Sequence, residues 1–187
     1  MANAVDTRGY DDLIALFRKW KAFFESLPEH YSVEYSGPLG PAFWDVYPYD
    51  LSDQLRAFLA VFGEFQFGKG QNVVEVWIPF SVVDGKDLVR KLCPGDFDMG
   101  DWLFSQEDLS HWDEFKCKRD SGVVSVDDLL LIGTDCDATL FAVPRMSAEI
   151  YHYDYIPEES QQFIDWFADK VNYALSFSPN HLKLPDT

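Results

Sequence analysis

The spacing of the apolar residues changes along the chain, and this change restricts the fold more than any other feature. Near the amino terminus, large apolar side chains recur at steps of three and four residues, which predicts one buried face of a helix over residues 10–26. The same period predicts a second helix over residues 52–62, with Gly63 as its stop. The two apolar faces comprise Leu13, Leu16, Phe17, Trp20, Phe23 and Phe24, and then Leu55, Phe58, Leu59 and Phe62.

Beyond the second helix the apolar period shortens to two, which is typical of strands. Phe65 and Phe67 alternate with polar neighbours, and residues 73–78 are rich in β-branched side chains after a turn at 68–72. Three more strands are predicted at 129–132, 139–143 and 149–155, with turns around 133–135 and 144–147. A short helix at 86–92 and a short strand at 102–104 are also expected.

The carboxyl-terminal part predicts one more helix. It would begin at Pro157, a favoured first-turn residue, and Glu158 and Glu159 would complement the helix dipole. The tail over 178–187 is expected to be loose. The packing face of this helix is predicted to be Phe163, Trp166, Phe167, Val171, Tyr173 and Ala174.

These elements predict a single α+β domain over residues 1–187. A mostly antiparallel sheet, a β-meander, would be flanked by an N-terminal helix, a middle helix and a C-terminal helix. The core would span about residues 51–175. Residues 1–50 would add the first helix and a Gly- and Pro-rich loop at 36–48 that is packed by its own aromatics, Phe43 and Trp44.

The net charge of the chain restricts the classes of molecule that it can bind. Fifteen Lys and Arg stand against 32 Asp and Glu, which gives a formal net charge of −17. Nucleic-acid backbones and anionic membrane surfaces are therefore unfavourable partners, because both require clustered basic residues. Two interpretations of the acidity remain, namely general solubility and a surface shaped for a basic protein.

The cysteines and the hydropathy of the chain indicate its cellular compartment. Cys93, Cys117 and Cys136 form no CxxC pair, as expected for reduced thiols. No run approaches the roughly 18 apolar residues that a membrane span needs. Asp6 and Arg8 precede the first apolar run, so no secretory signal is predicted there. We expect a cytoplasmic protein.

The sequence lacks a recognisable catalytic signature. None of the four histidines lies in one, and no GxSxG, Walker or GxGxxG sequence is present. Cys136 lies between Asp135 and Asp137, which would raise the pKa of its thiol and disfavour a nucleophile. His152 and Asp154 would share one strand face, which fits either a metal or an ordinary polar face. We predict no enzyme, no metal and no cofactor, with a carboxylate-dependent enzyme as the least favoured alternative.

Three stretches carry acidic residues without any Lys or Arg: 22–55, 92–115 and 120–144. In the second stretch the carboxylates are interleaved with aromatics, a pattern typical of protein-binding surfaces, where rings anchor and charges steer. The aromatics could instead fill the core beneath a loop. The predicted partner-binding residues are Asp96, Asp98, Asp101, Trp102, Glu107, Asp108, Trp112, Asp113 and Glu114, joined by Asp135 and Asp137 from the third stretch.

The order of these motifs resembles the SUKH superfamily over about residues 51–175. The middle helix, beginning Leu51-Ser-Asp-Gln-Leu, runs into Val61-Phe-Gly-Glu-Phe. A leucine-rich strand then ends in Ile132-Gly-Thr-Asp, and Ile150-Tyr starts a later one. A last helix with Phe163, Trp166 and Phe167 closes the pattern.

The resemblance implies a function. Bacterial members of the superfamily are mostly immunity proteins, each of which binds and neutralises a toxin domain delivered by a neighbouring cell through contact-dependent or specialised secretion systems. Many such toxins are basic enzymes of nucleic acids, so the implied partner is a cognate basic toxin whose active site is occluded. The alternative within the same fold is a regulatory or scaffolding module that binds several proteins.

Overall fold

Four helices lie in the part of the chain that the computed structural model describes, namely residues 8–69, 72–81, 117–119, 122–124, 128–135, 140–152, 161–177 and 182–185. They are α1 (Tyr10–Glu25), α2 (Pro41–Trp44), α3 (Asp53–Val61) and α4 (Phe163–Ser176). The predicted apolar faces of α1 and α3 are buried, apart from the half-buried Phe23.

Local signals fix the ends of α3. The Ser52 side chain accepts a hydrogen bond from the Leu55 N–H at 3.5 Å and caps the amino-terminal end. At the other end Gly63 has a φ of +68°, and its N–H donates to the Leu59 carbonyl at 2.9 Å. A Cβ at Gly63 would come within 2.2 Å of the Gly37 carbonyl oxygen, so both the backbone conformation and the space require glycine.

The strands form one main antiparallel sheet and one hairpin. The described strands are β1 (Ser32–Tyr35), β2 (Phe65–Lys69), β3 (Asn72–Ser81), β4 (Cys117–Arg119), β5 (Gly122–Val124), β6 (Leu129–Asp135), β7 (Leu140–Pro144) and β8 (Tyr151–His152). The six-stranded sheet has the order β1-β2-β3-β6-β7-β8, and β4 pairs with β5. All pairs are antiparallel, which confirms the predicted α+β class.

The core packs the helices against the sheet and is dominated by aromatic rings. Trp20 of α1 stacks on Phe167 of α4 with ring centroids 5.6 Å apart, and Phe167 meets Phe58 of α3 at 5.0 Å. On the sheet side, Phe65 approaches Phe167 and Phe141 approaches Trp166. Ring pairs of this kind add to the free energy gained by burying their area, and they join the three long helices to the sheet.

The structure corrects the expected turn at residues 133–135. These residues continue β6 because Gly133 lies against β3, where a Cβ would stand 1.9 Å from the Glu75 carbonyl oxygen. Glycine therefore serves a close approach of two strands here and not a change of direction. Strand β3 also continues beyond Pro79 to Ser81, with a register shift between Val76 and Phe80 that accommodates the proline.

The expected start of the last helix was also wrong. Gln161 and Gln162 are not helical, and α4 begins only at Phe163. The Gln162 side chain makes no capping bond; the buried Gln54 of α3 supplies it instead, since its Oε1 accepts from the Ile164 N–H at 3.1 Å. Residues of the predicted first turn, 157–160, lie outside the described residues. The predicted face of α4 is buried except for Tyr173, which is 56% exposed.

The tail is not loose where the structure describes it. Leu184 is buried, and its N–H donates to the Asn172 side chain of α4 at 2.8 Å. The Trp20 indole N–H donates to the Pro185 carbonyl at 3.1 Å. Residues 182–185 therefore join α1 to α4.

Candidate functional site

The first of the three acidic stretches, residues 22–55, lies wholly within the described part of the chain. Its six carboxylate side chains are all exposed to solvent: Glu25, Glu29, Glu34, Asp45, Asp50 and Asp53. The segment contains no Lys or Arg, so the charge of its own side chains is wholly negative. Three cations from outside the segment lie over its aromatic rings: Lys21, Arg56 and Arg145.

The loop at 36–48 is held in place by its aromatics, as the sequence predicts. Phe43 stacks on Tyr47 with centroids 5.1 Å apart, and Trp44 and Tyr49 meet Tyr47 edge-on at 5.9 and 5.5 Å. The Trp44 indole N–H donates to the Leu39 carbonyl at 3.2 Å. Within the loop, Pro41–Trp44 form the single turn of α2, a detail that the sequence did not predict.

Tyr47 ties this loop to the sheet. Its hydroxyl donates to the Pro79 carbonyl near the end of β3. Burial, with a smaller effect from the neighbouring Tyr49, raises the pKa of the Tyr47 hydroxyl well above its usual range. The residue therefore stays neutral at physiological pH and acts as a fixed anchor for the acidic segment.

The acidic segment also contacts the turn between β7 and β8, about 100 positions further along the chain. The Met146 N–H donates to the Asp50 carbonyl at 3.1 Å, and the Arg145 guanidinium lies 5.2 Å from the centroid of the Tyr49 ring. The Arg145 N–H in turn donates to the Asp128 carbonyl at 3.0 Å. We call residues 45–50 together with 145–146 the loop–turn surface.

Among the predicted partner-binding residues, Asp135 falls within the described part of the chain, and its surroundings differ from those expected. Its side chain is 5% exposed, and Oδ2 lies 2.6 Å from the Lys170 Nζ of α4. The same ammonium is 5.0 Å from the centroid of the Phe141 ring. The Asp135 carboxylate is thus engaged in the fold, and we remove it from the partner-binding set.

The other predicted partner-binding residues lie outside the described residues: Asp96, Asp98, Asp101, Trp102, Glu107, Asp108, Trp112, Asp113, Glu114 and Asp137. So do Asp154, Cys93 and Cys136, as well as the short elements predicted at 86–92 and 102–104. His152 is placed only as a residue of β8. Within the described ranges, no group of three or more His, Cys, Asp or Glu side chains is arranged to hold a metal ion.

The loop–turn surface is not predictable from the sequence. The loop and the turn each have a local signal, but no local signal joins residue 50 to residue 146. One feature of the sequence indicates a binding surface here. Segment 22–55 lacks Lys and Arg and contains a run of aromatic residues, which is the same combination that predicts a binding surface at residues 92–115.

Comparison with known proteins yields no relative: no protein-family model matches the chain, and no curated protein or solved structure matches it either. Of the helices in the described ranges, none has the length and apolar character that crossing a membrane requires.

Proposed function

We propose that this chain is a protein-binding module that acts as a bacterial immunity protein: it binds a cognate, basic toxin domain and neutralises it by covering the toxin's active site. The proposal assigns the chain no catalytic activity and places it in the cytoplasm of the cell that it protects. It combines the acidity of the chain with the function that the SUKH resemblance implies.

One observation carries the proposal. All six carboxylates of segment 22–55 are exposed, and the loop that bears Asp45 and Asp50 is fixed to β3 by the Tyr47 hydroxyl and to the β7–β8 turn by the Asp50 carbonyl. A mainly negative surface on a fixed backbone loses little conformational entropy when it binds, and it accelerates association with a surface of opposite sign. Enzymes of nucleic acids present such basic surfaces to their polyanionic substrates.

General solubility would account for the charge but not for the anchoring. A solubilising surface needs only dispersed charge, whereas here four aromatic rings and the buried Tyr47 hydroxyl hold the loop that bears Asp45 and Asp50 in one conformation. Preorganisation of this kind is a property of binding loops.

The test is an affinity purification with the wild-type chain as bait in lysate of its source cells, followed by mass spectrometry and titration of each retained protein. We expect a single basic protein bound with a Kd of about 1 nM, as is common for dedicated inhibitors. Several partners of micromolar affinity would contradict the immunity role and favour a scaffold. Retention of no protein would contradict both roles and favour a carboxylate-dependent enzyme that uses His152 and Asp154.

A further inference from the structure

The loop–turn surface carries the two most exposed large apolar side chains of the described residues. Val46 is 62% exposed and Met146 is 71% exposed. Single exposed apolar residues are common, but these two belong to segments joined by the Met146–Asp50 hydrogen bond and by the stacking of Arg145 on Tyr49. The two side chains therefore project from segments that are in direct contact.

Met146 occupies a backbone conformation that methionine disfavours. Its φ is +60°, and among the residues that the structure describes it is the only non-glycine residue with a positive φ. Glycine or asparagine adopts this left-handed conformation at lower cost. Because the Met146 side chain is mostly exposed to solvent, its burial contributes little stability to offset the conformational cost. Non-glycine residues in this conformation are uncommon, and strained residues of this kind cluster at functional sites.

Methionine suits a contact residue. Its unbranched thioether side chain adapts to irregular partner surfaces and packs well against aromatic and aliphatic groups. Val46, at the end of the turn that follows α2, offers a stiffer apolar group on a segment whose backbone is fixed by the hydrogen bonds from the Val46 and Tyr47 N–H groups to Phe43.

The charges around the two apolar side chains are mainly negative. Asp45, Asp50, Asp53 and Asp128 are exposed at or next to the loop–turn surface. The two nearby cations, Arg56 and Arg145, lie over the rings of Trp44 and Tyr49 at 5.7 and 5.2 Å from the centroids. An apolar centre with a rim of mostly one sign matches the anatomy of protein interfaces.

We propose that Val46 and Met146 are the apolar anchors of a docking surface for a cationic protein, which inserts an apolar side chain flanked by Lys or Arg between the Asp45, Asp50 and Asp128 carboxylates. This deepens the immunity function proposed above and rests on it. Charge selects this occupant: a second copy of the chain would bring another −17, and an anionic membrane would be repelled in the same way.

The closing experiment uses the protein retained by the wild-type chain, once identified and purified, as the titrant in calorimetry. Met146→Gly and Val46→Ser are compared with Tyr173→Ala, a control at an apolar side chain of similar exposure on α4. We expect each anchor variant to weaken binding by about tenfold or more and the control to change it by less than about twofold. Met146→Gly should do so with an unchanged or higher Tm, because glycine relieves the positive φ.

Each alternative result overturns the proposal in a distinct way. Wild-type affinity in both anchor variants, with a partner that binds wild type tightly, removes this surface but leaves the immunity function in place. A wild-type chain that retains no partner removes the function and the surface together. Sedimentation that finds a homodimer dissociated by Met146→Gly assigns the surface to a second copy instead.

Photo-crosslinking tests the same docking surface and does not depend on the stability of the variants. A photo-crosslinking benzoylphenylalanine at position 46 should join the chain to the purified partner, and the same group at position 173 should not. Equal yields at the two positions, or crosslinks from 173 alone, would contradict the assignment.

Discussion

The Lys170 ammonium lies 2.6 Å from the Asp135 carboxylate, and this ion pair joins the end of β6 to α4. The carboxylate is nearly inaccessible, whereas the lysine side chain is 30% exposed and also lies over the Phe141 ring. A buried carboxylate that loses its countercharge keeps the cost of desolvation without the compensating attraction.

Lys170→Met should therefore destabilise the fold although methionine preserves the length and apolar contacts of the side chain. We expect a loss of about 2 kcal/mol in the free energy of unfolding, below the full cost of breaking a buried pair because lysine is partly hydrated. Urea denaturation measures it. The double variant Asp135→Asn with Lys170→Met should recover part of the loss, and a single variant as stable as wild type would show that the pair contributes nothing.

Gly133→Ala tests the close approach of β3 and β6. The added Cβ would stand 1.9 Å from the Glu75 carbonyl oxygen, a backbone atom that cannot move without displacing the strand. We expect destabilisation by about 3 kcal/mol or failure to fold, since overpacking against backbone is costly.

Gly40→Ala is the matched control for that substitution. Gly40 has a negative φ, and nothing lies within 4 Å of an added Cβ. Alanine is a poorer N-cap than glycine, but it also restricts the unfolded chain, and because the two effects oppose each other the net change should stay within about 0.5 kcal/mol. If thermal unfolding gave the two variants the same Tm, the strand contact would not be the reason for glycine at 133.

Much of this fold follows from sequence, because the helices and central strands have strong periods. The buried faces of α1 and α3 were predicted from spacing, and the stop at Gly63 from the glycine that follows the last apolar residue of α3. Gly133 was predicted to lie in a turn, but it lies within β6, because glycine is favoured both in turns and where two strands approach closely. Only the tertiary position of Glu75 distinguishes the two.

Other errors also arose from distant partners. The start of α4 depends on Gln54, which is 110 positions away from Ile164. The docking of the tail depends on Trp20 and Asn172. In contrast, β1 had a local signal that was overlooked, since Val33 and Tyr35 alternate with the exposed Ser32 and Glu34. The loop–turn surface could not be predicted, because it requires the pairing of Asp50 with Met146.

Tyr47 predicts a pH dependence of stability. Burial raises the pKa of its hydroxyl in the folded protein above the value in the unfolded chain. The unfolded state then releases the proton first, so the stability contributed by neutral Tyr47 is complete below about pH 10 and declines as the pH rises above it. Urea denaturation at a series of alkaline pH values measures the decline.

Tyr47→Phe should flatten that alkaline loss, although it lowers stability at neutral pH by about 1 kcal/mol through the missing bond to Pro79. Tyr173→Phe, at an exposed tyrosine, should keep the wild-type profile. An alkaline decline that persists unchanged in Tyr47→Phe would assign the effect to other groups.

Leu184→Ala tests the docking of the tail. Leu184 is 6% exposed, and its truncation should cost about 2 kcal/mol of folding free energy. The neighbouring Lys183 is exposed, so Lys183→Ala serves as the control. Thermal denaturation followed by tryptophan fluorescence reports on both, because the Trp20 indole bonds to Pro185. Equal Tm values for the two variants would indicate a tail that contributes nothing to the core.

The most direct measurement of the central claim is protection of a living cell. The basic protein retained by the chain is expressed from an inducible promoter, alone or together with the chain, and growth is followed after induction. We expect the partner alone to arrest growth, and co-expression of the wild-type chain, but not of the Met146→Gly chain at matched low expression, to restore it. A partner that is harmless alone, or a toxic partner that the wild-type chain fails to neutralise, would contradict the account.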